Sequence, residues 1–215
     1  MDASRESDEL LARLRADGDQ VLAEEFSRHR PRLWRMVSFR LDARLRGRVD
    51  PEDILQEAFL DAVQRLGHFL ADPTGSLFIW LRLIVMQTMQ NVYRRHLSTQ
   101  KRDASRELSK VRDEFGDSTA ASITAFLSGQ LTSPSQAAMK QEQLAQLDQA
   151  LVRLSELDQE VLALRHFEEL SNAETAEALG IDPKAASVRY FRALRRLKGV
   201  LEKLSAFKPP ESEER

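Results

Sequence analysis

The chain has 215 residues, a formal net charge of −2, 42% hydrophobic and 31% charged residues, a globular composition for one medium domain or two small ones. Glycine and proline are scarce (8 and 7), which favours helices over sheets. Cysteine is absent, which excludes a disulfide framework, a thiolate metal site and a cysteine nucleophile. The opening Met1-Asp2-Ala3-Ser4-Arg5-Glu6 lacks the apolar core of a signal peptide, and there is no apolar run of about 18 residues. A cytoplasmic protein without membrane insertion is therefore expected.

The near-neutral charge hides opposed blocks. Arg28, Arg30, Arg32, Arg35, Arg40, Arg44, Arg46 and Arg48 face a single acid, Asp42. Asp50, Glu52, Asp53, Glu57 and Asp61 then follow with no base among them, and an acidic stretch from Glu156 to Glu177 precedes a basic one from Lys184 to Lys203. Such blocks suggest separate surfaces with different partners, the plainer alternative being solvated helix faces.

From Leu10 to Leu45 apolar residues recur at helical spacing, with breaks expected near Gly18 and Pro31. Trp34 and Phe39 read as core or boundary residues there. Asp50-Pro51-Glu52-Asp53 is a helix start, because Asp50 can cap, Pro51 suits the first turn and acids favour the positive helix end. That helix runs to about Leu66 with Leu55, Phe59, Ala62 or Val63, and Leu66 inward; Gln56, Glu57, Leu60, Asp61 and Gln64 lie largely off the stripe. Asp72-Pro73-Thr74-Gly75-Ser76 is a loop by its turn chemistry. A long amphipathic helix follows, its apolar side formed by Leu77, Trp80, Leu81, Ile84, Val85, Thr88, Met89 and Val92. Its other side carries Arg82, Gln87, Gln90 and Arg94, with no carboxylate.

Between Ser98 and Ala137 the pattern fades into a polar linker holding at most one weak helix around Ile123, Phe126, Leu127 and Leu131. Helical periodicity returns from Met139 to Leu204, and the tail from Lys208 should fray. The expected architecture is all-α: two small helical domains, residues 1–100 and 138–206, joined by a flexible linker at 101–137 and followed by a disordered tail at 207–215.

Within the second domain Ser171-Asn172-Ala173-Glu174 is a capping box that opens a short helix. Gly180-Ile181-Asp182 makes a turn, with Gly180 suited to a left-handed conformation and Ile181 beneath the corner. Asp182-Pro183 starts a basic helix, with Ala186, Tyr190, Ala193 and Leu197 inward. Two helices about a tight turn, the second cationic, match a DNA-binding helix-turn-helix; an ordinary helical hairpin with a basic face is the alternative. Lys184, Ser187, Val188 and Arg189 lie near the end that reaches bases, and Arg192, Arg195 and Arg196 are better placed for phosphates.

Two stretches together resemble sigma factors of the ECF group of the sigma-70 family. Leu154-Ser155-Glu156-Leu157-Asp158-Gln159-Glu160-Val161-Leu162-Ala163-Leu164-Arg165-His166-Phe167 with the helix-turn-helix resembles region 4. Asp50 to Leu60 resembles region 2.2, and Trp80 through Arg95 is similar to regions 2.3 and 2.4. Both modules in this order span about three quarters of the chain. The resemblance implies that Asp53, Gln56, Glu57, Leu60 and Asp61 pack on the β′ coiled coil of core RNA polymerase. It implies that Arg82, Gln87, Gln90, Asn91, Arg94 and Arg95 hold the separated −10 element of promoter DNA. A flipped base would enter a pocket made by the Asp72 to Ser76 loop, with Thr74, Gly75, Ser76 and Phe78 among the −10 contacts. Ser171, Lys184, Ala185, Ser187, Val188, Arg189, Arg192, Arg195 and Arg196 would read the −35 duplex while region 4 touches the β flap. The linker would thread polymerase channels, and an anti-sigma factor is a further candidate partner. Single-stranded DNA suits a cationic face, since phosphates and stacking supply its affinity.

The chain departs from the family where Gln87 replaces a frequent Asn, and where Ser187 and Val188 stand in place of a basic residue and Ser. Its linker is also longer than usual. Trp80 reads as a core anchor rather than a base wedge, and Phe78 divides evenly between DNA contact and packing. His29, His68, His96 and His166 show no metal spacing, and Asp53 with Glu57 lacks a third ligand. No catalytic residue, metal or cofactor is expected, and the protein reads as a non-enzyme. The competing readings are a helix-turn-helix regulator that acts without core polymerase and a sigma-like interaction module.

Overall fold

Asp50 and Pro51 show how local sequence sets the first unit of the chain. In the computed structural model, which describes residues 2–41, 45, 47–73, 75–98, 119–124 and 137–202, the Asp50 carboxylate accepts a hydrogen bond from the Glu52 amide at 2.9 Å. This caps the helix Pro51–Ala71. The chain divides into two units, Met1–Ala104 and Ser105–Arg215.

The first unit contains α1 (Asp2–Ala16), α2 (Gly18–Arg40), α3 (Pro51–Ala71) and α4 (Leu77–Ser98). Leu22, Leu33, Val37, Ile54, Leu55, Ala58, Ala62, Leu81, Ile84 and Val85 form its core. The break expected near Gly18 falls there. A Cβ on Gly18 would meet Leu66 Cδ2 at 2.9 Å, so glycine lets the start of α2 approach α3. The break expected at Pro31 does not occur, since Pro31 lies inside α2. Buried Val21, Leu22 and Phe26 on one side of it and Leu33, Met36 and Val37 on the other keep the helix continuous. Their burial outweighs the roughly 3 kcal/mol that an interior proline costs. Phe39 is fully buried, whereas Trp34 is 44% exposed, so the reading of Trp34 as a core or boundary residue is corrected. Trp80 stacks on Phe69 at 4.7 Å between ring centroids, as befits an anchor.

The second unit contains α5 (residues 119–124), α6 (Ala137–Val152), α7 (Glu156–Leu162), a π-helical turn (Ala163–Phe167), α8 (Asn172–Leu179) and α9 (Pro183–Leu201). The helix α5 falls in the stretch read as linker. Its Ala120 and Ile123 are buried, and Thr119 and Thr124 donate hydrogen bonds to Glu160 and Asp148 at 3.3 and 3.1 Å. Phe126, Leu127 and Leu131, along with the tail from residue 207, lie outside the described residues. The Gln159 amide donates to the carbonyls of Leu151 and Leu154 at 3.1 and 3.2 Å, which satisfies acceptors left over at the end of α6.

The capping box forms as its sequence requires. Ser171 Oγ accepts from the Glu174 amide at 3.2 Å, and the Glu174 carboxylate accepts from the Ser171 amide at 2.8 Å. Gly180 adopts φ 62°, the left-handed region where a side chain is strained. The Asp182 carboxylate then accepts from the Lys184 amide at 2.8 Å to start α9. A buried polar group links two of these helices: Asp158, 1% exposed, accepts from Arg189 at 3.2 Å and from Arg196 at 2.6 Å. Two arginines of α9 are thereby tied to α7.

Asp158→Asn is expected to lower the unfolding free energy of this unit by about 1–3 kcal/mol. That is below the cost of breaking a fully buried pair, because both arginines reach solvent. Urea unfolding of the variant beside the parent measures it, and an unchanged midpoint would remove Asp158 from this role.

Candidate nucleic-acid and polymerase interfaces

The outward face of α3 carries the residues assigned to polymerase. Asp53 and Gln56 are exposed, Glu57 and Asp61 half-buried, and Leu60 stands among them 61% exposed. An exposed leucine ringed by carboxylates and amides is suited to a basic protein surface that also offers an apolar contact, the composition of an interface core and rim.

Gln87, Gln90 and Asn91 are half-buried on α4, and Arg94 and Arg95 are exposed. Arg94 donates to Asn91 Oδ1 at 2.6 Å. Leu83, 53% exposed, lies on this same face by helical spacing, three or four residues from Gln87 and Met86. It was absent from the sequence reading, because an apolar residue opposite an apolar stripe signals nothing by periodicity alone. Arg82 and Phe78 are corrected: Arg82 is only 9% exposed and Phe78 is buried. The Phe78 ring meets His29 at 5.0 Å between centroids, and the Arg32 guanidinium covers it at 3.8 Å. Both belong to α2, so a second neighbour covers a flank of α4 that its own stripe leaves open.

In the loop before α4, Gly75 takes φ 87°. Ser76 Oγ accepts from the Ile79 amide at 3.2 Å, so this hydroxyl caps α4. Thr74 lies outside the described residues.

The α3 and α4 sets, read from sequence as separate surfaces, are cross-linked. Arg95 donates to both Glu57 carboxylate oxygens at 2.7 and 2.6 Å. Arg65 donates to Gln87 Oε1 at 2.5 Å and to Asp61 Oδ2 at 3.4 Å. A polar seam thus joins the acid-and-amide face to the cation-and-amide face. In the arginine-rich block of α2, Arg28 pairs with Glu25 and Arg30 with Glu52; part of that block therefore serves the unit's own packing. Arg44 and Arg46 lie outside the described residues.

On the helix-turn-helix, Lys184, Ala185, Val188, Arg192 and Arg195 are exposed and Ser187 half-buried. Ser171 is engaged in its capping box. Arg189, assigned as a base reader, and Arg196, assigned as a phosphate contact, both pair with Asp158, an engagement that the sequence did not show. Sequence reasoning also missed Phe191, which is 63% exposed. It leans edge-on against Tyr190 at 5.4 Å between centroids, and the Tyr190 hydroxyl is 3.0 Å from His166 Nε2. Its position next to the inward Tyr190 at helical spacing was the available signal.

Residues 144–197 match the family described as Sigma-70, region 4, a span that begins in α6 and ends in α9. Over 202 residues, 89% of this chain and 97% of the relative, the chain is 26% identical to the RNA polymerase sigma-H factor of Pseudomonas aeruginosa. Together these likenesses support reading the chain as a sigma-70 factor of the ECF type. It is a transcription-initiation factor. A second relative, the RNA polymerase sigma factor YlaC of Bacillus subtilis, is 28% identical over 147 residues, 68% of this sigma factor and 75% of the relative. A solved structure of CnrH in complex with the cytosolic domain of CnrY is similar at a TM-score of 0.49 and 21% identity, covering 92% of this chain and 97% of that one. No helix among the described residues of this sigma factor is long and apolar enough to cross a membrane, and no group of metal-ligating side chains occurs among them.

His166, beside Tyr190 of α9, is a residue whose charge state the fold shifts. Burial, then the Arg165 cation, hold its imidazole below the ordinary value of 6.5. The neutral ring is therefore the form the fold favours, with Nε2 free to accept from Tyr190. Its contribution to stability is complete above pH 6.5 and is lost as the pH falls from there through the folded value. Thermal melts across this window should show a shallow acid decline in the parent that His166→Gln flattens. An equal decline in both would acquit His166.

Proposed function

We propose that this sigma factor docks on core RNA polymerase through the outward face of α3, holds the separated −10 strand on the outward face of α4, and reads −35 duplex with α9. The observation that carries the reading is the pair of neighbouring faces on α3 and α4, one of carboxylates and amides around Leu60, the other of cations and amides around Leu83. Opening a duplex requires the single strand to be bound more tightly than the double helix. A cationic face with an exposed apolar side chain provides that difference, through phosphate neutralisation and contact with unstacked bases. A one-component regulator with only the helix-turn-helix would have no use for the α3 and α4 faces. Such a factor works in the cytoplasm, and an anti-sigma protein would silence it by covering the α3 face or α9.

Because Glu57 also holds Arg95, the cleaner probe of docking is Asp53→Lys with Leu60→Ser. Both positions are exposed, so helix content should be unchanged while co-purification with core polymerase falls at least about tenfold, the loss expected when a charged contact and an apolar one are removed together. Retention at the parent's level would exclude this face.

The melting role has its own readout. Full-length protein with core polymerase should make −10 thymines reactive to permanganate, and neither component alone should. Gln90→Ala with Arg94→Ala should suppress that reactivity at least about tenfold, given the worth of hydrogen bonds to charged groups, while core binding and −35 binding stay near the parent's. Undiminished opening in this variant would refute the assignment of α4. Absence of opening by the parent on any promoter would favour a plain helix-turn-helix regulator.

A further inference from the structure

We infer that Val188 and Phe191 form a methyl-reading strip on α9 that selects adjacent thymines in the duplex this helix enters. The inference rests on the reading of α9 as the −35 helix and adds the feature of the DNA that it recognises.

Val188 and Phe191 are 50% and 63% exposed. Three residues apart, they share the side of α9 opposite the buried Ala186 and Ala193. Lys184, Arg192 and Arg195 flank them on this side, all exposed, and none forms an ion pair with another described residue. Two large apolar side chains inside a cationic face are costly to leave in water unless something apolar meets them. The surrounding cations specify an anionic partner, so the apolar element must belong to a polyanion.

Duplex DNA has one such element in its major groove. Guanine, cytosine and adenine present donors and acceptors there, and thymine adds its 5-methyl group. An apolar side chain pressed on a donor or acceptor strips its water and returns no hydrogen bond, whereas on the thymine methyl it loses nothing. The spacing agrees: three residues of α-helix rise about 4.5 Å, close to the roughly 3.4 Å between successive base pairs. The strip therefore spans neighbouring steps.

The strip is also held in place. The Phe191 ring rests on the Tyr190 ring at 5.4 Å; Tyr190 is fixed by His166 through its hydroxyl at 3.0 Å and covered by the Arg165 guanidinium at 5.3 Å. Arg189 and Arg196 pair with Asp158 and so are drawn toward the edge of the face. Val188 and Phe191 remain at its centre.

The test uses the full chain with core RNA polymerase and a library of randomised duplexes upstream of a fixed −10 region. Retained duplexes should carry adjacent thymines on one strand within the −35 element. These duplexes are then resynthesised with deoxyuridine for each thymidine in turn, which removes the methyl and keeps every hydrogen-bonding group. Loss of either contacted methyl should weaken binding about fourfold, the worth of one buried methyl-sized group, and other positions should be indifferent. Val188→Ser and Phe191→Ala, both at exposed sites, should each abolish the sensitivity at one position while still binding. Indifference of the parent to deoxyuridine everywhere overturns the inference and leaves the −35 reading standing. Parent protein that retains no duplex sequence over another overturns that reading as well. Loss of core-polymerase binding or of self-association in the two variants, without change in the selected DNA, assigns the strip to a protein partner and likewise overturns the inference.

Discussion

Asp158 is a carboxylate almost wholly withdrawn from water, and a charge in that position must be paired. Arg189 and Arg196 pair it, and because they are seven residues apart, two turns of one flank of α9 are tied to α7. The rotation of α9 about its own axis is then set. With that flank held against α7, Lys184, Val188, Phe191, Arg192 and Arg195 are exposed beyond it, and the orientation of this cationic face follows from one buried acid. A helix with this many arginines has several faces it could present; the pairing selects one.

The first unit solves a similar problem at its surface. The helices α3 and α4 pack together with Leu55, Ala62, Leu81 and Val85 buried, and their exposed edges carry opposite charge. The Glu57–Arg95 pair and the Asp61–Arg65–Gln87 chain lie where those edges meet. Exposed pairs of this kind add little to stability. Their consequence is positional: residues of the acid-and-amide face and of the cation-and-amide face share hydrogen bonds.

Three working faces share a pattern of one or two exposed apolar side chains in a polar field: Leu60 on α3, Leu83 on α4, and Val188 with Phe191 on α9. Charge attracts a partner over distance and tolerates error in position, whereas apolar contact rewards close fit. A chain of nearly balanced net charge that handles both a protein and a polyanion uses each kind of residue on every such surface.

Much of this was legible in the sequence. Periodicity placed α3, α4, α8 and α9, and the cap residues Asp50, Ser171 and Asp182 marked where helices begin, because the capping hydrogen bonds are local and depend on residues at most three apart. Gly180 likewise announced its left-handed turn. Helix continuity through Pro31 was not legible, since packing on both sides of the proline decides it. The burial of Phe78 and Arg82 was hidden as well: one helix's periodicity reveals its main stripe, but a second neighbour, here α2, covers an additional flank. The same holds for α5, whose few apolar residues gain a partner surface only once α6 and α7 are folded. The sequence by itself thus determined the helices, their caps and the family's two modules, all products of short-range chemistry. Only the tertiary structure decided which cations remain free, because Arg189 and Arg196 meet Asp158 across 31 and 38 positions, and pairing over that separation exists only when α7 and α9 are packed together.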